Sequence, residues 1–142
     1  MKSAGADMVK TERGSKNAFN ISDPRRYRCQ VYHYHRRLSR LYISVYKGRR
    51  NEPAFYLLFS DVAYLEAPMS WLSAEFDIAE RADCIDLMAR VGLVGEAIHQ
   101  FPDAYAAITD YARLYQVRSS HSAIRIIASS AAFLRNPPPD IE

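Results

Sequence analysis

Residues 27 to 46, YRCQVYHYHRRLSRLYISVY, decide the fold because their side chains alternate in character over two successive stretches. In the second stretch, Leu41, Ile43 and Val45 alternate with polar or aromatic residues. A period of two is typical of a strand that buries one face. The sequence therefore predicts two consecutive strands, from Tyr27 to Arg36 and from about residue 40 to 46, joined by a short basic link.

The Leu, Ile and Val side chains of the second strand belong in a core, so the residues that alternate with them should face outward. Pairing the two strands as a hairpin then puts arginines and tyrosines on one outward surface: Arg28, Tyr32, Tyr34, Arg36, Arg40, Tyr42 and Tyr46. The assignment depends on the register, since a one-residue bulge would reverse the phase of a strand.

Charge is distributed unevenly along the chain. From Arg25 to Arg50 there are nine Lys or Arg residues, five tyrosines and no acidic residue, whereas Asn51 to Asp110 holds eleven acidic residues and two arginines. Three interpretations are open. The basic surface is solvated or paired with acidic neighbours such as Glu75 and Asp77, it is a protein interface, or it binds a polyanion.

Further alternation predicts two more strands, Phe55 to Glu66 and Leu72 to Ile78, which complete a four-strand antiparallel meander. The strand pattern resumes near the C-terminus, where residues 114–118 and 123–128 flank a four-residue polar loop and predict a hairpin.

Helical periodicity appears between these strand regions. Cys84, Leu87, Met88 and Val91 share one helical face, and Gly92 stands where a helix would end. A second helix is predicted near Pro102. The fold class is therefore α+β, a mainly antiparallel sheet with two helices packed on one face.

The length of 142 residues fits one domain. Residues 1 to 23 are polar and lack periodicity, which predicts a flexible basic arm. The domain itself should span residues 24 to 135, and residues 136 to 142 form a Pro-rich tail.

Composition favours a cytoplasmic protein. Two cysteines are too few for a disulfide framework, and no apolar run approaches the ~20 residues that span a bilayer. We therefore expect no membrane association. No glycine-rich phosphate or dinucleotide motif is present, so no cofactor is expected.

Histidines offer a weaker hypothesis. His33 and His35 are two residues apart on a predicted strand, so their imidazoles share a face and could hold a metal ion. Asp61 interrupts an apolar strand and, like His121, could complete such a site or a small-ligand pocket.

No catalytic signature is found, and the sequence leans away from an enzyme. The primary hypothesis is a non-enzymatic binding protein that uses the Tyr- and Arg-rich sheet surface to contact a protein partner or a second copy as a homodimer. The alternative is a domain that binds single-stranded nucleic acid or RNA through the same surface, with help from basic residues of the arm. A small-ligand or metal pocket is the third hypothesis.

Overall fold

The structure, a computed structural model, describes residues 6–8, 12–118 and 122–138. Within them the chain forms the strands β1 (Ala6–Met8), β2 (Tyr27–His35), β3 (Arg40–Lys47), β4 (Phe55–Ser60), β5 (Tyr64–Glu66), β6 (Ser70–Leu72), β7 (Phe76–Ile78), β8 (Arg113–Val117), β9 (Ile124–Ala128) and β10 (Ser130–Leu134). The helices are α1 (Arg81–Arg90) and the short α2 (Ala106–Thr109), with single 3-10 turns at Pro24–Arg26, Glu96–His99 and Pro102–Tyr105. His121 and the ends of the predicted arm and tail lie outside the described residues.

The strands form two antiparallel sheets, ordered β1-β10-β4-β3-β2-β6 and β5-β9-β8-β7. The predicted α+β class, mainly antiparallel with two helices, is confirmed. The predicted C-terminal hairpin is β8 paired with β9. The strand order differs from a four-strand meander, because β6 returns to the far side of β2 and produces a Greek-key order.

The predicted strand from Phe55 to Glu66 is two strands that belong to different sheets, and so is the predicted strand from Leu72 to Ile78. The chain breaks at Ser73, whose φ of 105° is rare for a residue with a side chain. Its backbone is held on both sides, since the Ser73 amide donates to the Tyr27 carbonyl and the Ser73 carbonyl accepts from the Trp71 indole. Local alternation gave no sign of this break, which depends on partners distant in sequence.

The main core lies between the two sheets, where the inward phases of both meet. Phe59 of β4 is at its centre and is fully buried. Its ring centroid lies 5.7 Å from that of Phe19, 5.4 Å from Phe76 and 5.2 Å from Tyr115. Edge and tilted contacts of this kind add to the free energy gained by burying the rings.

A second, smaller core lies on the other side of the four-stranded sheet. Cys84, Leu87 and Met88 of α1 pack there against Leu114 and Ile127. Three of the four residues predicted for the inward face are therefore buried, while Val91, which follows the last residue of α1, is exposed. No helix in the described ranges is long and apolar enough to cross a membrane.

Residues 12 to 21, within the predicted arm, are packed onto the domain. The Gly14 amide donates to the Ile78 carbonyl and the Ala18 amide to the Phe76 carbonyl, so this segment covers the free edge of β7. Phe19 and Ile21 are buried in the main core. Over this stretch the structure differs from a flexible arm, because two apolar side chains without periodicity are enough to anchor it.

Replacing Phe19 by Ala tests this packing. We expect the free energy of unfolding to fall by about 3–5 kcal/mol, the usual cost of truncating a buried Phe. Urea unfolding followed by circular dichroism measures it. Lys16→Ala, an exposed position in the same segment, is the control and should change stability by less than about 0.5 kcal/mol. Equal stability of the two variants would mean that the segment is not part of the core.

Two buried acids predict how stability depends on alkaline pH. Burial raises the pKa of the Cys29 thiol from 9.0 to about 12. Burial also raises the pKa of the Tyr115 phenol from 10.0 to about 12. Between these ordinary and raised values the unfolded chain binds fewer protons than the folded one, so stability falls as pH rises.

We therefore expect the free energy of unfolding to decrease from about pH 9 upward, as measured by urea unfolding at about pH 8 and about pH 10.5. Cys29→Ala removes one of the two groups and should make the decrease smaller. An unchanged pH dependence in that variant would assign the effect to other groups.

Candidate binding surface

The outer face of the six-stranded sheet contains the tyrosine- and arginine-rich surface. We define this outer face by the outward positions that the register gives, together with Tyr32, whose ring contacts that of Tyr56: Arg28, Gln30, Tyr32, His33, His35, Arg40, Tyr42, Ser44, Tyr46, Tyr56, Leu58, Ser60, Ser70, Leu72, Ser130, Ala132 and Leu134. On this face Arg28 lies opposite Tyr46 and Gln30 opposite Ser44.

A β-bulge between Val31 and His33 changes the phase of β2. Beyond it His33 is opposite Tyr42, and Tyr34 is opposite the buried Leu41. Tyr34 therefore has the inward phase, contrary to the prediction. It is still 43% exposed, and it lies beyond the residues of β2 that pair with β6. A bulge adds a residue without changing the local composition, so the alternation could not locate it.

The other predicted residues are divided between strand and turn. Arg28, Tyr32, Arg40, Tyr42 and Tyr46 lie on the outer face, as expected from the alternation. Arg36 follows the last residue of β2 and is exposed in the turn to β3 instead of on a strand.

The tyrosines of the outer face pack on one another instead of standing free. Tyr42 and Tyr56 are only 9% and 6% exposed and form a small cluster with Leu134 and Leu58. The ring of Tyr32 on β2 lies 5.3 Å from that of Tyr56 on β4. Since β3 runs between these strands, the two rings meet above it.

Ser44 makes room for this contact. It points outward from β3 opposite Tyr56, yet it is fully buried. Its hydroxyl donates to the Gln30 carbonyl at 3.3 Å. A small side chain here lets the rings of Tyr32 and Tyr56 approach across the strand.

Tyr56, Leu58 and Leu134 were missed as members of this surface. Tyr56 is nevertheless buried, and the ring of Tyr32 packs against it. Burial among tyrosines raises the pKa of the Tyr56 phenol, mainly by desolvation and then through the nearby phenols of Tyr32 and Tyr46. The high tyrosine content of the sequence was the one signal that could have indicated this packing.

Arg28 is held against the sheet. Its guanidinium carbon lies 4.4 Å from the centroid of the Tyr46 ring, within the range of a cation–π contact. A long hydrogen bond, 3.5 Å, joins its Nη2 to the Arg50 carbonyl. The arginine is thus positioned before any partner binds, and one face of the Tyr46 ring is already occupied.

No outward position of the outer face, as defined above for described residues, is Asp or Glu. Glu75 instead pairs with Arg25 at 2.9 Å and Asp77 with Arg118 at 3.6 Å, so neither neutralises the outer face. Glu75 lies in the link after β6, and Asp77 is on the other sheet. The acidic pairing considered for this surface is therefore absent from the described part of the chain.

Exposed basic residues stand at both ends of the β2–β3 hairpin. Arg36 and Arg37 lie in the turn between the two strands. At the opposite end, Lys47 is the last residue of β3, and Arg49 and Arg50 follow it. The nearest carboxylates in sequence, Asp23 and Glu52, lie outside the strands. The positive potential thus extends along the whole hairpin.

The residues predicted for a metal or ligand pocket are brought together only in part. The rings of His33 and His35 lie 6.2 Å apart on the outer face. Asp61 is exposed and accepts a hydrogen bond from the Ser129 hydroxyl at 2.7 Å. In the described ranges no group of three or more His, Cys, Asp or Glu side chains could hold a metal ion.

Replacing Ser44 by Leu tests the arrangement of the tyrosines. The larger side chain would separate the rings of Tyr32 and Tyr56, at a cost of about 1–3 kcal/mol in unfolding free energy. Ser44→Ala is the matched control, because it removes only one hydrogen bond and should cost at most about 1.5 kcal/mol. Urea unfolding and the nuclear Overhauser contacts between the two rings report both effects. A leucine variant that keeps these ring contacts would contradict the arrangement.

No family model matches this chain, and no match is found among curated proteins or among solved structures.

Proposed function

We propose that this chain is a non-enzymatic binding protein whose outer face binds an acidic surface of another protein. The observation that carries the proposal is the outer face itself, which combines tyrosines with Arg28 and Arg40 and has no carboxylate among its defined positions. Tyrosine and arginine are enriched where proteins contact one another. An acidic partner would supply the charges that this face lacks.

Side chains of the outer face are already held in place by their neighbours, which favours tight binding of a partner. Tyr32 rests on Tyr56, and Arg28 rests on Tyr46, so these side chains have little freedom left to lose on binding. Each immobilised flexible side chain otherwise costs about 0.5–1.5 kcal/mol of binding free energy. The guanidinium groups can then form charge-assisted hydrogen bonds with carboxylates of the partner.

A partner other than a second copy is favoured on electrostatic grounds. In a two-fold dimer through the outer face, the same positive surface would meet itself. Glu75 and Asp77, the acidic neighbours that could relieve this repulsion, are both paired elsewhere. The predicted homodimer stays a prediction, which light scattering of the purified protein tests directly.

Nucleic acid is the second candidate. The basic turns at the two ends of the hairpin and the Tyr32 side chain, 46% exposed, favour it. Base stacking needs free ring faces, however, and Tyr42 and Tyr56 are buried. Few rings remain for successive bases, so the protein partner is the better supported of the two.

Two fluorescent probes distinguish these candidates: poly-L-glutamate, which represents an acidic protein surface, and single-stranded oligo-dT. We expect poly-L-glutamate to bind at low salt, and the double variant R28A/R40A to weaken binding at least about tenfold, since hydrogen bonds to charged groups contribute ~1.5–3 kcal/mol. Fluorescence anisotropy measures both affinities. Added salt should weaken binding because exposed charges are screened.

The control variant R90A/R118A removes the same charge from exposed positions outside the outer face and should keep the wild-type affinity. Equal losses in the two double variants would mean that only net charge matters, which contradicts a defined surface. Tighter binding of oligo-dT that Tyr32→Ala abolishes would put nucleic acid in place of the protein partner.

A further inference from the structure

The strand β2 is longer than β6, which covers one of its two edges. β2 comprises Tyr27–His35, whereas β6 pairs only with residues 28 to 30. Directly beyond them, the Val31 amide donates to the Met69 carbonyl at 2.9 Å. In the described ranges, residues 33 to 35 pair with β3 alone. The edge of β2 that faces away from β3 is therefore free at its C-terminal end.

The path of the chain leaves this edge open. Pro68 and Met69 precede β6, and the strand before them, β5, belongs to the other sheet. The chain therefore comes from the other sheet and reaches the edge of β2 only at Met69. Because β6 runs antiparallel to β2, it then continues away from residues 33 to 35.

The backbone of Tyr34 points to the free edge. In an antiparallel pair, opposite residues alternate between pairs that exchange hydrogen bonds and pairs that do not. The Val45 carbonyl of β3 accepts from the Ala54 amide, directly before β4, and Leu41 has the same orientation because it lies four residues before Val45. Tyr34 is opposite Leu41, so its amide and carbonyl are directed away from β3. Tyr34 thus offers a donor and an acceptor to an added strand.

Charge around the free edge is positive. Arg36 and Arg37 follow β2 directly and are exposed, and Arg40 begins β3 opposite His35. No residue from 24 to 51 is Asp or Glu. A free strand edge invites pairing with another chain, and charged residues beside it select which chain. These arginines repel the same edge of a second copy and attract an acidic strand.

The two faces of an added strand would have different surroundings. His33 and His35 lie on the outer face, and Tyr34 between them has the opposite phase and is exposed. Side chains of the added strand alternate in the same way. Carboxylates suit the outer face, which includes Arg40, and apolar side chains suit the other face, where they would cover the Tyr34 ring.

We propose that the free edge of β2 binds an extended segment of a protein partner in which acidic and apolar residues alternate. The segment adds as a strand beside residues 32 to 35, with main-chain hydrogen bonds to Tyr34 and with carboxylates on the side of the arginines. The proposal rests on the acidic-partner function proposed above, and it specifies the conformation and the sequence pattern of that partner.

Amide hydrogen exchange of the full chain, followed by nuclear magnetic resonance, tests the main-chain contact. The probe is a synthetic peptide of about eight alternating glutamate and valine residues, a usual length for a strand. At saturating peptide we expect exchange of the Tyr34 amide to slow at least about tenfold, because strand addition places it in a hydrogen bond. The Tyr111 amide, in the link after α2, is the control and should not change.

The same peptide with N-methylated amides separates main-chain binding from side-chain binding. It keeps every side chain and charge but has no N–H group to donate to the edge. We expect its affinity, measured by fluorescence anisotropy, to be at least about tenfold lower because backbone hydrogen bonds are lost. Equal affinities of the two peptides would overturn the proposal.

Two substitutions at Tyr34 provide the matching test in the protein. Tyr34→Pro removes the edge N–H, whereas Tyr34→Val keeps it, and both remove the ring. The proline is compatible with the hairpin because this N–H points away from β3. We expect the unmodified peptide to bind at least about tenfold more weakly to the proline variant than to the valine variant. Equal binding would contradict strand addition, and exchange in the wild-type protein decides if the proline variant does not fold.

Poly-L-glutamate separates failure of this proposal from failure of the function on which it rests. Binding of poly-L-glutamate without binding of the peptide, or binding of the peptide without slower exchange at Tyr34, would overturn strand addition alone. If neither probe binds, both the strand addition and the acidic-partner function are overturned.

Discussion

The alternation of β3 is the constraint on which the rest of the structure depends. Leu41, Ile43 and Val45 all point into the core between the sheets and are fully buried. Tyr42 and Ser44, between them, point to the outer face. Because the period is two, a shift of one residue would place the tyrosines in the core and the aliphatic side chains outside. The burial of the aliphatic side chains in the core therefore also determines which residues lie on the outer face.

The sequence predicts well what depends on local pattern. The strands β2, β3, β8 and β9 and the buried face of α1 follow from periodicity, and they confirm the α+β class. The break at Ser73 and the bulge beside Tyr32 were not predictable, because both depend on hydrogen bonds to distant segments. The strand order is likewise a property of the assembled sheets.

The candidate surface shows the same difference between what local pattern predicts and what depends on contacts between distant segments. The outward positions of Arg40, Tyr42 and Tyr46 were predictable because β3 alternates without interruption. That of Arg28 was predictable because it precedes the bulge in β2. The contact of Arg13 with the Ala112 carbonyl was not predictable, since the two residues are 99 positions apart. Arg13 lay in a segment with no pattern, which is held in place by the buried side chains of Phe19 and Ile21 and by hydrogen bonds from Gly14 and Ala18 to β7.

Acidic residues of the middle segment pair mainly with arginines outside the basic hairpin. Glu66 binds Arg125, and Asp110 binds Arg81, while Arg25 is the member of the basic stretch that reaches a carboxylate, Glu75. The charge asymmetry of the sequence is therefore kept in the folded protein. Exposure and salt screening limit the cost of this repulsion to stability.

The charges of the outer face differ from those elsewhere in what surrounds them. Arg81, away from this face, has a carboxylate beside it, that of Asp110 at 2.7 Å. The outer face has none, and its charges lie along a hairpin, which suits an extended acidic surface better than a single ion. Tyr32 and Arg28 are already packed on neighbouring rings, so such a partner would meet a surface that needs little rearrangement.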